Sequence, residues 1–490
     1  LFAYQSSTAL TYPVRFNVVF KYFGQLCSVL TFLSIVPLCT SLLFGEPYIA
    51  LRYAVVACVY LTIGFVLAPK KAPTDLQPNE GMMVVISMFL FTCLITSYPI
   101  MGEGMSFINA FFEVVSAITT TALSTVSTVS DAPRSFLFER AWMQWYGTLG
   151  FITLSLAILM QPGFTTRMLA ESEAEPDNLA VGTRAHAKQV VKIICLLTVI
   201  CFLGAWLLGL GWFDAFLYSL TTPTTGGFAP TDTGIGGLNW QLQLWFTIIC
   251  LLGAIPLTIY HRFIAKSNFF AIDFLQAKVL LFLCLFFSIS IGLCLHMHNH
   301  IPFEQLIYKA PMFAIQAQTA TGFTTGIACS DLDPGSKLLT ICSMVIGGGV
   351  GSTSGGIKIL RILIILNILK VMFQKVSMPH HAVATHKLAG FRLRNENFIS
   401  PLLLVVLNVL VILISWFAFL SYGYNPLDSL FETVSAVSSA GLSVGITNAS
   451  LPVFLKLVLC IDMLFGRLEI FAWLLMLCPW TWLGKRRRGA

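Results

Sequence analysis

Four stretches of this chain carry residues suited to holding a cation by the backbone. The clearest is TTPTTGGFAP, Thr221–Pro230, which follows a short apolar run from Trp212. Its counterparts are ITTTALSTVSTVS (Ile118–Ser130), TATGFTTG (Thr319–Gly326) and SSAGLSVG (Ser438–Gly445). Gly tolerates a positive φ and lets carbonyls turn toward an axis, and a ring of carbonyls replaces the water shell of a small cation. The residues predicted to do this, with Thr side chains assisting, are Thr120, Thr121 and Ala122 in the first loop and Thr224, Thr225, Gly226 and Gly227 in the second. Ala320, Thr321 and Gly322 serve in the third, and Ser439, Ala440 and Gly441 in the fourth.

A different chemistry is suggested by IGGGVGSTSGGIK, Ile346–Lys358, with Gly347, Gly348, Gly349, Gly351, Gly355 and Gly356. Gly inside a helix costs about 1 kcal/mol relative to Ala. One reading is therefore a flexible intramembrane loop beneath the filter, able to move and gate. The other is a close helix-packing face of small residues. A phosphate loop does not fit, since no Gly-Lys-Ser/Thr follows and no strand precedes. Arg467 and Glu469 lie in DMLFGRLEIF, mid-way through the last apolar run. An Arg at mid-membrane costs at least ~2.5–3.5 kcal/mol. It either projects into the pore below the filter as an electrostatic barrier or pairs with Glu469 or another acid. Lys358 has the same two readings.

The remaining reactive side chains read as structural. The 13 Cys sit singly in apolar runs, without CxxC, as small buried hydrophobes. His296, His298 and His300 read as a solvated outer loop, His380, His381 and His386 as part of a basic docking or lipid-facing loop, and Glu171–Asp177 as a solvated linker. No nucleophile–base pair or metal cluster stands out, so no enzyme is expected.

These residues need long apolar elements to position them. The 490-residue chain is 57% hydrophobic and 10% charged, against roughly 25% charged in soluble proteins, and its mean hydropathy is +0.82. The apolar runs are continuous rather than alternating, which indicates helices and not a barrel. The first run, Gln25–Phe44, is too long for a signal-peptide core and reads as a span. Two leading spans fall near 22–44 and 48–68. Four repeats follow, with spans near 81–100 and 136–160, 190–210 and 240–260, 275–296 and an interrupted 337–373, and 399–421 and 452–482. Each pair brackets a half-helix and its loop, with Phe111-Phe112-Glu113, Phe303-Glu304 and Phe431-Glu432 leading into three of them. The predicted fold is an all-α integral membrane protein with four span–pore-loop–span repeats around a pseudo-fourfold pore. The divisions are 1–69, 70–162, 163–265, 266–375 and 376–490.

Lys and Arg concentrate between repeats, at Lys70-Lys71, Arg167/Arg184/Lys188/Lys192, Arg262/Lys266, Lys375/Lys387/Arg392/Arg394 and Lys485–Arg488. The positive-inside rule makes those segments cytoplasmic and brings the pore loops in from outside. Only Arg134, Lys309 and Lys337 are assigned to the loop side. The net charge of +7 has this cause, so a nucleic-acid partner is not implied. Trp480 and Trp482 beside the basic end read as an interfacial anchor. Asp214, Glu304 and Asn425-Pro426 with Asp428 are expected to begin half-helices whose C-terminal ends point inward and favour a cation.

The four repeats with TTGGF (Thr224–Phe228), TGF (Thr321–Phe323), GSTSGGIK (Gly351–Lys358) and GRLEIF (Gly466–Phe471) resemble the Trk/Ktr/HKT superfamily of potassium transporters over nearly the whole chain. The two leading spans and the length match the Trk-type membrane subunit. The resemblance implies potassium uptake through a pore in a bacterial inner membrane, potassium as the ion at the filter, and a homodimer. It also implies a cytoplasmic nucleotide-binding regulatory ring, of the Trk A type, as partner, with no nucleotide site or other cofactor in this chain. The gate implied is Gly347–Gly356 with Arg467. The family carries Gly in all four filters, whereas Ala122 stands there in the first. Ser at this position in plant relatives accompanies sodium preference, so a sodium-permeable variant is an alternative. Ala122 is expected to store backbone strain or to turn its carbonyl off the axis. The other rivals are an alternating-access secondary transporter and a non-conducting regulatory subunit.

Overall fold

The computed structural model describes residues 14–70, 77–159, 179–264, 271–299, 302–376, 387–389, 391–392, 396–468, 470–478 and 482. Glu469, His300, His380, His381, His386, Trp480, the run 171–177 and Lys485–Arg488 lie outside them.

The architecture is helical, apart from a hairpin pairing Lys387–Leu388 with Phe391–Arg392 in the basic loop. Helices Phe16–Leu43 and Pro47–Leu67 form the leading pair. Among the described residues, six helices are long and apolar enough to cross a membrane: the leading pair, 79–103, 189–207, 271–298 and 398–421. They turn large apolar side chains outward, such as Phe32, Phe65 and Phe417. Between long helices lie four short ones, Phe107–Ile118, Trp212–Thr221, Phe303–Gln318 and Pro426–Val437. A 12-residue helix is about 18 Å long, too short to cross a ~30 Å hydrocarbon core. Their buried faces pack in the interior, as with Ala110, Phe112 and Val114–Ile118 in the first. Asn425 caps the fourth as expected, accepting from the amides of Leu427 and Asp428 at 3.0 and 3.3 Å. The first has no acid in its first turn and is capped by Ser106.

Three expectations change. Glu113 and Glu432 occupy equivalent places within their short helices, but Glu304 stands in the first turn of a longer, 16-residue helix. The Phe-Glu pair of the third repeat is therefore out of register with the others. The second span of repeat two is broken as well, into Trp240–Ala254 and Leu257–Ile264. Pro256 has no amide to continue the ladder. The freed carbonyls find other donors: Tyr260 Oη on Leu252 O at 2.7 Å, Thr353 N on Gly253 O at 3.1 Å and Gly349 N on Ala254 O at 3.0 Å. Finally, Lys456 joins the cations on the loop side, buried at 3% exposure.

Polar clasps join neighbouring repeats around the loop side in cyclic order. Repeat one meets two where Val129 N and Ser130 Oγ donate to the Asp232 carboxylate at 2.5 and 2.7 Å. Repeat two meets three where the amides of Ile235 and Gly236 share Thr324 O, both at 3.0 Å. Repeat three meets four through Lys337 and Asp428 at 2.7 Å. Repeat four meets one where Lys456 Nζ donates to Asn109 Oδ1 at 2.7 Å.

Asp232 lies in a loop outside the spans. Burial alone would raise its carboxyl, but the hydrogen bonds from Val129 and Ser130 outweigh this and hold it below the usual carboxylate range. A depressed native pKa contributes stability above the unfolded value of ~3.9 and loses it as pH falls through the native one. Asp232→Asn should therefore lower the melting temperature modestly at neutral pH. The gap from wild type should close as the pH is taken below the carboxylate range. A gap independent of pH would assign the loss to geometry, not charge.

Candidate functional site

The four short helices end alike. Thr119, Thr224, Thr319 and Ser438 each turn a hydroxyl back onto the carbonyl four residues earlier, at 2.7, 2.8, 2.8 and 2.6 Å. The next residue in each case, Thr120, Thr225, Ala320 or Ser439, has φ of 50–56°. Its amide bonds to the carbonyl three back, and the following amide, of Thr121, Gly226, Thr321 or Ala440, to the carbonyl five back. This is the Schellman closure, which usually places Gly at the left-handed position. Here no copy has Gly there. A second left-handed residue follows two positions on: Ala122, Gly227, Gly322 and Gly441, with φ 68, 80, 77 and 76°. In a strand, where φ keeps one sign, successive residues face opposite sides; reversing φ at alternate residues turns the carbonyls toward one side. The predicted loop residues thus fall at equivalent places in four copies.

The copies also touch in order. A Cβ on Gly227 would collide with the carbonyl oxygen of Thr321, one on Gly322 with that of Ala440, and one on Gly441 with that of Thr121. Each filter Gly therefore makes room for the carbonyl of the next repeat. Ala122 holds the equivalent place in the first loop and brings a real methyl, which lies 3.2 and 3.1 Å from where Cβ atoms on Gly227 and Gly441 would stand. The Gly226 carbonyl is held from outside the loop, by Gln144 Nε2 at 2.5 Å, while Gln144 Oε1 accepts from Phe228 N at 3.2 Å. Ala122 keeps the left-handed backbone at a strain of roughly 1–2 kcal/mol, the first of the two expected outcomes. The two glycines of TTGGF have separate reasons: Gly227 clears Thr321 O, whereas Gly226 clears the Gln144 side chain.

Two acids and a base support the loops from behind. Glu113 Oε1 accepts from the Thr125 amide at 2.5 Å and the Ser124 hydroxyl at 2.9 Å. Glu432, its equivalent, accepts from Ser443 Oγ and from the Thr447 amide at 3.2 Å. Arg140, 3% exposed, lies 3.5 Å from Glu113 Oε2 and stacks on the Phe228 ring at 3.8 Å. Gln144, Arg140 and the pairing of Glu113 with its own loop were not foreseen from sequence. The signal available was a charged Arg140 and a polar Gln144 four residues apart on one face of an apolar helix.

The glycine stretch is not helical, which removes the helix-face reading. It leaves Pro334–Val345 and returns to Ile359–Val376. Its neck is closed by Gly347 N to Ile357 O at 3.0 Å and Ile357 N to Val345 O at 2.9 Å. Gly347, Gly348, Gly349 and Gly355 have Gly355 O, Ala254 O, the Pro256 ring and Ser438 O where a Cβ would be; Gly351 and Gly356 have φ of 73 and 68°. Thr353 sits at the tip. Its hydroxyl lies 3.0 Å from Pro223 O, 3.0 Å from Gly253 O and 3.4 Å from Thr225 Oγ1. Arg467, 2% exposed, donates through Nη1 to Thr353 O at 2.9 Å and through Nη2 to Thr148 Oγ1 at 3.2 Å. Lys358 donates to Ser354 O. Both cations therefore bind loop carbonyls. The ion pair with Glu469 falls on a residue outside those described.

Four like-oriented pore loops, closed into one ring and backed by paired helices, define a multi-pass membrane protein of the pore-loop type. Residues 49–479 match the model of the TrkH cation transport proteins, and the chain belongs to that family. An uncharacterised cation transporter of Methanocaldococcus jannaschii is 29% identical, over 91% of this chain and 92% of that protein. The Trk system potassium uptake protein TrkH of Escherichia coli K12 is 28% identical, over 86% and 90%. The crystal structure of the potassium transporter TrkH from Vibrio parahaemolyticus superposes with a TM-score of 0.85 at 25% identity, covering 96% of this chain and all of that one.

The Gln144 contact makes a packing prediction independent of transport. Gly226→Ala should cost about 1–3 kcal/mol by overpacking against Gln144. Gln144→Ala should be the milder single change, and the double variant should recover most of the Gly226→Ala loss. Thermal melting of the purified proteins gives the coupling; additive losses would show that the two positions do not meet.

Proposed function

We propose that this chain is the membrane subunit of a Trk-type system and takes up potassium through the central ring, down the membrane potential. The carrying observation is the fourfold recurrence of paired left-handed residues, five of the eight not Gly. Strain of this kind persists where surroundings over-determine it, typically at ligand clamps. Ion ligands in this reading are carbonyls of the first loop at Thr120, Thr121 and Ala122, and of their counterparts through Gly441. The buried hydroxyls of Thr120 and Ser439, which lack a hydrogen-bond partner, assist. A potential of ~100 mV supplies about 2.3 kcal/mol per charge. The boundaries 1–69, 70–162, 163–265, 266–375 and 376–490 serve as the leading pair and four repeats. A homodimer in a bacterial inner membrane, with a nucleotide-binding ring on the cytoplasmic side, completes the assembly by analogy with the family. Four loops of one orientation favour this over alternating access, which usually uses inverted pairs.

Selectivity follows from the ring. The Gln144 amide holds the Gly226 carbonyl, one out of four, Ala122 replaces the filter Gly of the first loop, and selectivity depends on the number and field of these dipoles. Flux of rubidium into proteoliposomes, competed by sodium, tests the reading. Wild type should conduct, and Ala122→Gly should raise the preference for potassium several-fold to tenfold, ~1.4 kcal/mol at most. Absence of any flux would sink the transport reading. Flux with equal sodium competition in both proteins would assign selectivity to the other three loops.

The gate proposed is the loop from Gly347 to Gly356, held shut by Arg467 and Lys358. Arg467→Ala removes the hold on Thr353 O and should raise flux several-fold while weakening dependence on the regulatory partner. Unchanged flux, with normal membrane insertion, would make the guanidinium purely structural.

A further inference from the structure

Away from the ring, one buried acid has no hydrogen bond. Glu139, on helix Arg134–Leu159, is 1% exposed, and neither carboxylate oxygen has a hydrogen-bond partner. It lines a cavity with room for about one water molecule between the leading pair and the first repeat, with Tyr53, Tyr60, Thr92, Thr96 and Tyr146. The Tyr53 hydroxyl faces the carboxylate without reaching hydrogen-bond geometry. The Tyr60 hydroxyl, also 1% exposed, faces Thr92 and Thr96, likewise without reaching hydrogen-bond geometry. Among the described lining residues none is Lys, Arg or His. Arg52, on the neighbouring leading helix, is engaged by the rings of Tyr48 and Tyr98 at 4.7 Å each. The other carboxylates within electrostatic reach are the half-buried Glu46 and Glu103, both in turns on the loop side.

A lone ionised carboxylate in such surroundings neutralises itself or takes a counter-ion. The donors here select the ion. Apart from the single thioether of Met143 they are hard oxygens, with no thiol or imidazole among the described lining residues, which disfavours the softer metals. One carboxylate balances one positive charge, and a divalent ion would be left with excess charge at membrane depth. The space admits an ion stripped of its water and not a hydrated one. Among abundant monovalent ions, the smaller, sodium, fits best. We propose that this cavity is a sodium site, separate from the pore, that fastens the leading helices to the first repeat, with Glu46 and Glu103 drawing the cation in from the loop side.

The test uses the purified full chain with potassium held constant, so that the central ring stays occupied, and sodium exchanged for choline. Wild-type melting temperature should rise saturably with sodium. Glu139→Gln should abolish the rise, and Tyr60→Phe and Thr96→Val should each weaken apparent sodium affinity about tenfold. A wild type indifferent to sodium overturns the proposal, as does one whose melting responds only to pH, identically in sodium and choline; the carboxyl would then simply carry a proton. A sodium response that survives in Glu139→Gln overturns it too. If Glu139→Gln does not fold, unchanged sodium affinity in both Tyr60→Phe and Thr96→Val has the same force.

Discussion

Backbone that leaves a helix at membrane depth must find hydrogen bonds inside the protein, and this constraint governs the structure. Each of the four short helices ends with carbonyls that no further turn will satisfy. The sequence answers with a hydroxyl just past the helix end and a left-handed closure after it. The closure reverses the chain and presents the loop carbonyls to the next repeat. Ring and helix ends are thus one device. The negative partial charge at each helix C-terminus falls where the loop carbonyls already gather, so the field of the helices and that of the loops add.

The same constraint explains why the glycine stretch and Pro256 belong together. Proline frees carbonyls on Trp240–Ala254, and the glycine stretch is irregular backbone in need of acceptors. Each supplies what the other lacks, through Gly349 on Ala254 O and Thr353 on Gly253 O. The glycines are small for this reason: five of the six have another residue's backbone or proline ring where a Cβ would stand. The stretch is consequently not a slack segment. In the gate proposed above, moving the stretch must break backbone hydrogen bonds in two repeats at once, which favours two discrete states over gradual loosening.

Much of this was legible in the sequence. Thr/Gly loops between long apolar runs, a glycine cluster and an intramembrane Arg are local patterns, and the span positions agreed to within a few residues for most helices. The Asn425 cap was also local and was read correctly. What escaped depends on partners far apart in the chain. Gln144 looks like one polar residue in an apolar run until its bond to Gly226, 82 residues away, is seen. Arg467 reaches Thr353, 114 residues away. Apart from Ala122, the non-glycine left-handed positions were invisible because propensity expects Gly there, and only the ring over-determines the strained backbone. The Phe-Glu pairs misled for the opposite reason: Glu304 matches Glu113 in its local sequence, yet the third helix starts earlier and puts it a different distance from the loop.

Thr353 gives this architecture a physical route between its two halves. One face of the residue touches the helix end beneath the second loop, through Pro223 O and Thr225 Oγ1. The other is gripped by Arg467 from the fourth repeat, whose second amino group rests on Thr148 in the first. A displacement of the glycine stretch therefore removes a donor from Pro223 O and a neighbour from Thr225 at the same time. Thr225 is one of the strained left-handed residues, held by its contacts rather than by its own preference. The stretch below and the ring above cannot change independently at this point. It is also the repeat whose Gly226 carbonyl Gln144 holds, so the second loop is where the glycine stretch and the ring meet.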